Sequence, residues 1–218
     1  MSKPLVQLFP GVTLALCMLL LMWQPTQVAT LWMLHENNPV EMLTFVFLMM
    51  GALQSAKLAR DLRRQREPLT VWGFYVLFAL GMFFTAGEEV AWGQLLFGFT
   101  PPAFIADINV QHELSIHNLR GLAGRSEFLR LAFGLGGLIG TALSRQEMFR
   151  KLAPPRALLA WLLPITLHAA VDCYGNVFPI NAYLDALLTP SSEYVEMLIG
   201  LTGFLYAREN AWRLAHDG

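Results

Sequence analysis

Charge is what this sequence has least of. Only 14% of its 218 residues are Asp, Glu, Lys or Arg, against 55% hydrophobic, whereas a soluble domain carries about 25% charged residues. Such a chain cannot cover a water-facing surface, which excludes a soluble globular enzyme. A formal net charge of −1 excludes a nucleic-acid binder built on a basic face. Cysteine is nearly absent, with Cys17 and Cys173 as the two, so no disulfide framework or multi-thiolate zinc site is expected; one disulfide between them, or a thiol ligand at Cys173, stays open. The chain also lacks H-E-x-x-H, G-x-S-x-G, a P-loop, and a G-x-G-x-x-G following a strand. Those absences remove the standard zinc protease, serine hydrolase, phosphate-loop and dinucleotide readings.

Long apolar runs are abundant. They approach the length of about 20 residues that a spanning helix needs, at 5–23, 40–57, 69–92, 127–144, 156–173 and 194–211. Polar or turn-forming stretches bracket them, among them "ENNP" at 36–39, "APP" at 153–155 and "TPSSE" at 189–193. The expectation is an all-α polytopic membrane protein of six transmembrane helices, forming one domain over 1–218. The first run is read as a helix and not a signal peptide, because "QPTQVAT" beyond it lacks a small residue at the −3 position. Gly136 and Gly140, spaced as G-x-x-x-G, predict a face for close helix packing.

Basic residues set the orientation. Lys3, the group Lys57, Arg60, Arg63, Arg64 and Arg66, the group Arg145, Arg150, Lys151 and Arg156, and Arg208 with Arg213 all fall on one side of the six spans. The loops at 24–38 and 174–192 contain no Lys or Arg. The positive-inside rule makes both termini cytoplasmic.

That frame sorts the acids and imidazoles. Four of five histidines and eleven of sixteen carboxylates belong to the outer half. "GEEVAWGQ" puts Glu88 and Glu89 about 28 Å along the third span, near the outer boundary of the hydrocarbon. His168 and Asp172, four apart on the fifth span, share a helical face. Glu113 and His117 are likewise four apart in "INVQHELSIHNLRG", a segment between the third and fourth spans that is amphipathic or re-entrant. Glu193 and Glu196 are placed in the first turn of the last helix, where Ser191 or Ser192 serves as cap.

Each element has a plainer reading. The glutamates can simply end a span, His168 and Asp172 can be a hydrogen-bonded stitch, and the 104–119 segment can lie on the surface with its polar face in water. Against these stands the cost of ionisable groups at membrane depth. Imidazole with carboxylate suits Zn²⁺ first, with Fe or Mn as alternatives. The expected metal ligands are His117, His168, Glu88 and Asp172, and the expected catalytic carboxylates are Glu88, Glu89, Glu113 and Asp172.

The stretch Glu88 to Leu119 resembles an uncharacterised family of multi-pass bacterial inner-membrane proteins with the pattern E-E-x-x-W-G-Q, then N-x-Q-x-E, then H-N. The matching positions are Glu88, Glu89, Trp92, Gly93, Gln94, Asn109, Gln111, Glu113, His117 and Asn118. The resemblance implies a bacterial plasma-membrane location and no particular activity. A looser likeness connects Glu88, Glu89 and the His168 to Asp172 spacing to intramembrane metal hydrolases of the alkaline-ceramidase and CAAX-protease types, from which this chain departs by carrying Gln94 where the latter has arginine. The functional expectation is a metal-dependent intramembrane hydrolase or transferase acting on a lipid or lipid-linked substrate at the periplasmic leaflet. The alternative is a non-enzymatic membrane protein that binds an ion, a solute or a partner subunit, with a homo-oligomer left open.

Overall fold

The computed structural model describes residues 4–35, 37–121, 125–178 and 180–216, and among these it is helical with no strand beyond one isolated bridge. Seven long helices carry it: α1 (Pro4–Met22), α2 (Gln24–Leu34), α3 (Pro39–Arg64), α4 (Leu69–Glu89), α5 (Glu127–Ala142), α6 (Leu159–Val177) and α7 (Ala182–His216). Four helical stretches, Pro39–Arg64, Leu69–Glu89, Glu127–Arg145 and Arg156–Val177, are each long and apolar enough to cross a membrane, and α1 with α2 makes a fifth if that bent pair is one span. The fold is all-α and polytopic.

Three of the expected boundaries change. Helix α2 occupies what was expected to be a loop, and it leaves α1 at 119°. Proline breaks the first helix and starts the second: Pro25 sits in the first turn of α2, and the Thr26 hydroxyl donates to the Leu20 carbonyl at 2.8 Å, satisfying an end of α1. Helix α3 runs to Arg64, seven residues past its expected end, and carries the basic cluster on its last turns. Helix α7 runs 35 residues straight through "TPSSE". Pro190 lies inside it, and Ser191 and Ser192 turn their hydroxyls back onto the helix's own carbonyls, those of Leu187 and Thr189. These serines therefore do not cap a helix start, and Glu193 and Glu196 stand well inside α7. The expected sixth span falls within this helix, which the acids and Arg208 make too polar to count by apolarity alone.

The core joins α1, α3, α4, α6 and α7 around Leu14, Leu58, Tyr75, Trp161, Ile165 and Leu198. Large apolar side chains on the outside, such as Leu53, Leu77, Leu129 and Leu167, remain exposed, as lipid-facing surface does. Close packing of α5 on α6 uses different glycines from those expected. A Cβ on Gly134 would lie 2.3 Å from Thr166 Oγ1 and one on Gly137 2.5 Å from Leu162, while Gly136 meets nothing within 4 Å and Gly140 meets only Pro154. The packing face has i, i+3 spacing.

One end of the bundle is tied mainly by side chains bonded to backbone carbonyls. Tyr75 Oη donates to the Lys151 carbonyl at 2.7 Å and accepts from Asn210 Nδ2 at 2.9 Å, and Tyr206 Oη donates to the Leu152 carbonyl at 2.5 Å. Arg213 donates to the carbonyls of Arg150 and Ala153, and Lys151 pairs with Glu67. The loop after α5 is thereby fastened to α4 and α7.

Candidate functional site

The other end begins where α4 stops. Ala91, Trp92 and Gly93 have φ of 44°, 53° and 92°, a left-handed run that an α-helix cannot continue. It folds the Trp92 indole back so that Nε1 donates to Glu88 Oε1 at 2.6 Å. Gly87 makes room, since a Cβ there would lie 3.0 Å from the ring.

Glu88 is an anchor. Its Oε2 accepts the backbone N–H groups of Ile116 at 2.6 Å and His117 at 2.9 Å, with His117 Nδ1 at 3.3 Å. The segment it holds is a knotted loop with a single turn of helix at Ala103–Ala106, so the helical face expected for Glu113 and His117 does not form. Asn109, fully buried, organises it: Nδ2 donates to the Ser115 carbonyl at 2.8 Å, and Oδ1 accepts from the N–H groups of Gln111 and Glu113. Asn118 Nδ2 donates to Gln111 Oε1, and Gln94 Oε1 accepts from the Leu114 N–H. The polar pattern of this stretch thus builds a loop and fastens it to the end of α4. Partial burial pulls the His117 pKa down, but the hydrogen bond and charge of Glu88 outweigh it, leaving His117 above the ordinary value of 6.5.

Glu89 points elsewhere. Its electrostatic surroundings are four other carboxylates, Glu196, Glu193, Glu41 and Glu88, in descending strength. Acids from α3, α4 and α7 therefore lie within electrostatic reach of one another and define an acidic chamber at this end of the bundle.

Arg130 borders it from α5. Only 6% exposed, its guanidinium bonds Asp172 Oδ2 and Glu196 Oε1, each at 2.6 Å, and Ser126 Oγ at 3.0 Å, while Nε has no partner. The trio joins α5, α6 and α7. His168 lies beside it, with Arg130 and Asp172 as its charged surroundings. Ser191 Oγ already donates to the Leu187 carbonyl, so His168 Nε2–H donates to Ser191 Oγ at 2.9 Å and the buried Nδ1 is left as a bare acceptor. His168 and Asp172 share a face as expected but take separate partners on other helices.

The expected metal set is not assembled in this arrangement. Among the described residues no three His, Cys, Asp or Glu side chains are grouped closely enough to hold one ion, so His117, His168, Glu88 and Asp172 do not converge. His117 is committed to Glu88 and His168 to Ser191. Glu113 belongs to the loop, where its N–H is tied to Asn109. Both cysteines are buried and free. Sequence reasoning missed Arg130 and Glu41. An arginine one turn inside an apolar run was the signal for Arg130, whereas Glu41 in a first helical turn looks like ordinary dipole compensation.

No protein-family model matches the chain, and no curated protein or solved structure matches it.

Proposed function

We propose that the acidic chamber takes a divalent cation, which would have to draw together carboxylates that, among the described residues, are not grouped closely enough to hold an ion in this structure, and serves hydrolysis or group transfer on a lipid or lipid-linked substrate in the outer leaflet of a bacterial plasma membrane. The observation that carries this reading is Glu89 at the end of a membrane-length helix, with Glu196, Glu193, Glu41 and Glu88 as its electrostatic surroundings. Carboxylates crowded where water is scarce cannot all ionise, because each raises the cost of the next. Arg130 is shared between Asp172 and Glu196. A bound cation would relieve the mutual repulsion of the acids gathered here.

The donor set is dominated by oxygen, which suits Mn²⁺ or Mg²⁺ ahead of the zinc expected from two histidines. When bound, such an ion polarises a substrate oxygen and acidifies its water. The chain's own contributions are distinct. Glu88 and His117 hold the loop that covers the chamber. Arg130 fixes the carboxylates of Asp172 and Glu196. Glu89, with no hydrogen bond of that kind fixing it, is the group we assign to accept the proton. The distribution of Lys and Arg supports an outward-facing chamber.

A second reading, cation or solute binding without chemistry, is favoured by one observation: Glu88 and His117 are spent on each other. Metal analysis of detergent-purified protein, followed by screening of lipid substrates, separates the two. Stoichiometric metal in wild type, lost in Glu89→Gln but kept in Glu88→Gln, supports the chamber; turnover of any lipid then selects the enzyme. Wild type that holds no metal after incubation with Mn²⁺, Mg²⁺ or Zn²⁺ overturns the metal-dependent enzyme and the cation site alike, and leaves solute binding as the reading of this end.

A further inference from the structure

A groove of about 440 Å³ runs between α3 and α4 on the outside of the bundle, away from the acidic chamber. Its floor is made of small side chains, Ala52, Ala56, Ala59 and Ala79, and its walls include Leu53 and Phe83, both of which stay exposed. From Met49 to Arg63 it follows α3 for fourteen helical steps, about 21 Å at 1.5 Å per residue, longer than the roughly 15 Å half-thickness of a hydrocarbon core. The lining is apolar until its last turn. There Arg60 and Arg63 close it, and the Arg63 guanidinium lies over the Trp72 ring, 5.5 Å from its centroid.

This arrangement carries both halves of a lipid. A trough floored by alanine admits a straight chain against the helices, and cations at one end with an indole beside them sit where a headgroup would. The charge there is not cancelled: Arg60 has only a loose contact with Asp61 at 3.6 Å, both well exposed, and Lys57, Arg64 and Arg66 stand in the same cluster, all exposed. We infer that the α3–α4 groove is a binding site for an anionic phospholipid, with an acyl chain along Ala52, Ala56 and Ala59 and the phosphate between Arg60 and Arg63. Stacking on Trp72 holds Arg63 in place, which lowers the entropy lost when it engages a phosphate. The inference does not depend on what the outer chamber does.

The test is native mass spectrometry of the full chain released from detergent with equal amounts of phosphatidylglycerol and phosphatidylcholine. Each basic group near an anionic headgroup is worth about 1 kcal/mol, a factor of about five, so two arginines predict a preference of about 30-fold for the anionic lipid. In the double variant Arg60→Ala and Arg63→Ala that preference should fall toward unity. Ala56→Trp, which fills the floor at an exposed position and leaves both arginines, should reduce retention of either lipid. Equal retention of the two lipids by wild type overturns the inference. So does a preference unchanged in the arginine variant, or retention unchanged in Ala56→Trp, which would assign the effect to diffuse surface charge. Addition of inorganic phosphate should not displace the lipid from wild type, and displacement would show that the arginines bind the anion alone.

Discussion

The two ends of this bundle solve the same problem in opposite ways. At the end holding Tyr75, Tyr206 and Asn210, the buried polar side chains are neutral, with the two tyrosines spent on the backbone carbonyls of residues 151 and 152 and Asn210 on Tyr75. At the end holding Glu88, Glu89 and Arg130, ionisable side chains are drawn together, Glu88 with His117 and Arg130 with Asp172 and Glu196, and Glu89 has four other carboxylates in its electrostatic surroundings. Between them the core is apolar, with Leu48, Ile165, Val195 and Leu198 fully or almost fully buried. The first end has what structure alone requires. The second gathers ionisable groups at membrane depth, and that concentration is the reason to look for function there.

The largest effect should come from breaking the charged trio. Arg130→Ala leaves Asp172 and Glu196 facing each other in a mostly buried site, and removing one partner of a buried ion pair costs about 3–5 kcal/mol. Thermal unfolding in detergent should show it as the steepest loss of any single substitution considered for either end. Replacing all three together, with Arg130→Met, Asp172→Leu and Glu196→Leu, sharpens the comparison, because apolar residues of similar size restore much of the stability of a buried ion pair. Stability that returns while metal binding stays absent would mark the trio as functional; stability and metal binding that both return would reduce it to a stitch like the one at the other end.

The neutral clamp should respond less. Tyr75→Phe removes the donor to the Lys151 carbonyl and the acceptor for Asn210, in a site where Tyr75 and Asn210 are fully buried, at about 1–3 kcal/mol. Its midpoint should fall by roughly 2–4 °C for each kcal/mol lost, with metal content unchanged. Metal loss in Tyr75→Phe would show that the two ends are coupled.

How much of this was legible beforehand differs between the ends as well. Composition and apolar run length place most of the helices, since burial of apolar faces decides them. The ends of helices were harder, because polar residues there have two uses. "TPSSE" reads as a stop, yet α7 runs through it, with Ser191 and Ser192 back-bonded to Leu187 and Thr189 instead of capping a start. "QPTQVAT" reads as a loop, although proline at a first helical turn is equally a start. Within the site, the acids and histidines stand out as residue types, but their pairing depends on contacts far apart in sequence. Glu88 meets His117 across 29 positions and Arg130 meets Glu196 across 66. A spacing rule of three or four cannot see either. It also misassigned Glu113 and His117 to one helical face, where Asn109 folds a loop instead.

The smallest predicted effect tests the cover of the chamber through pH. Glu88 raises the His117 pKa above its ordinary 6.5, so the folded state binds a proton more tightly than the unfolded one. The stabilisation is then fully present below about pH 6.5 and is lost as pH rises through the higher folded value. His117 is 45% exposed, and a pair so open to solvent is worth at most about 1 kcal/mol. Thermal midpoints of wild type should therefore decline modestly as pH is taken upward from 6.5, and His117→Gln should remove that part of the slope while leaving the backbone N–H bonds to Glu88 intact. Glu88→Gln should remove it too and destabilise further, because Ile116, His117 and Trp92 all lose a charged acceptor. If instead the slope survives in both variants, the proton belongs to the carboxylates around Glu89, and the chamber itself, not its cover, is the pH-sensitive part of this end.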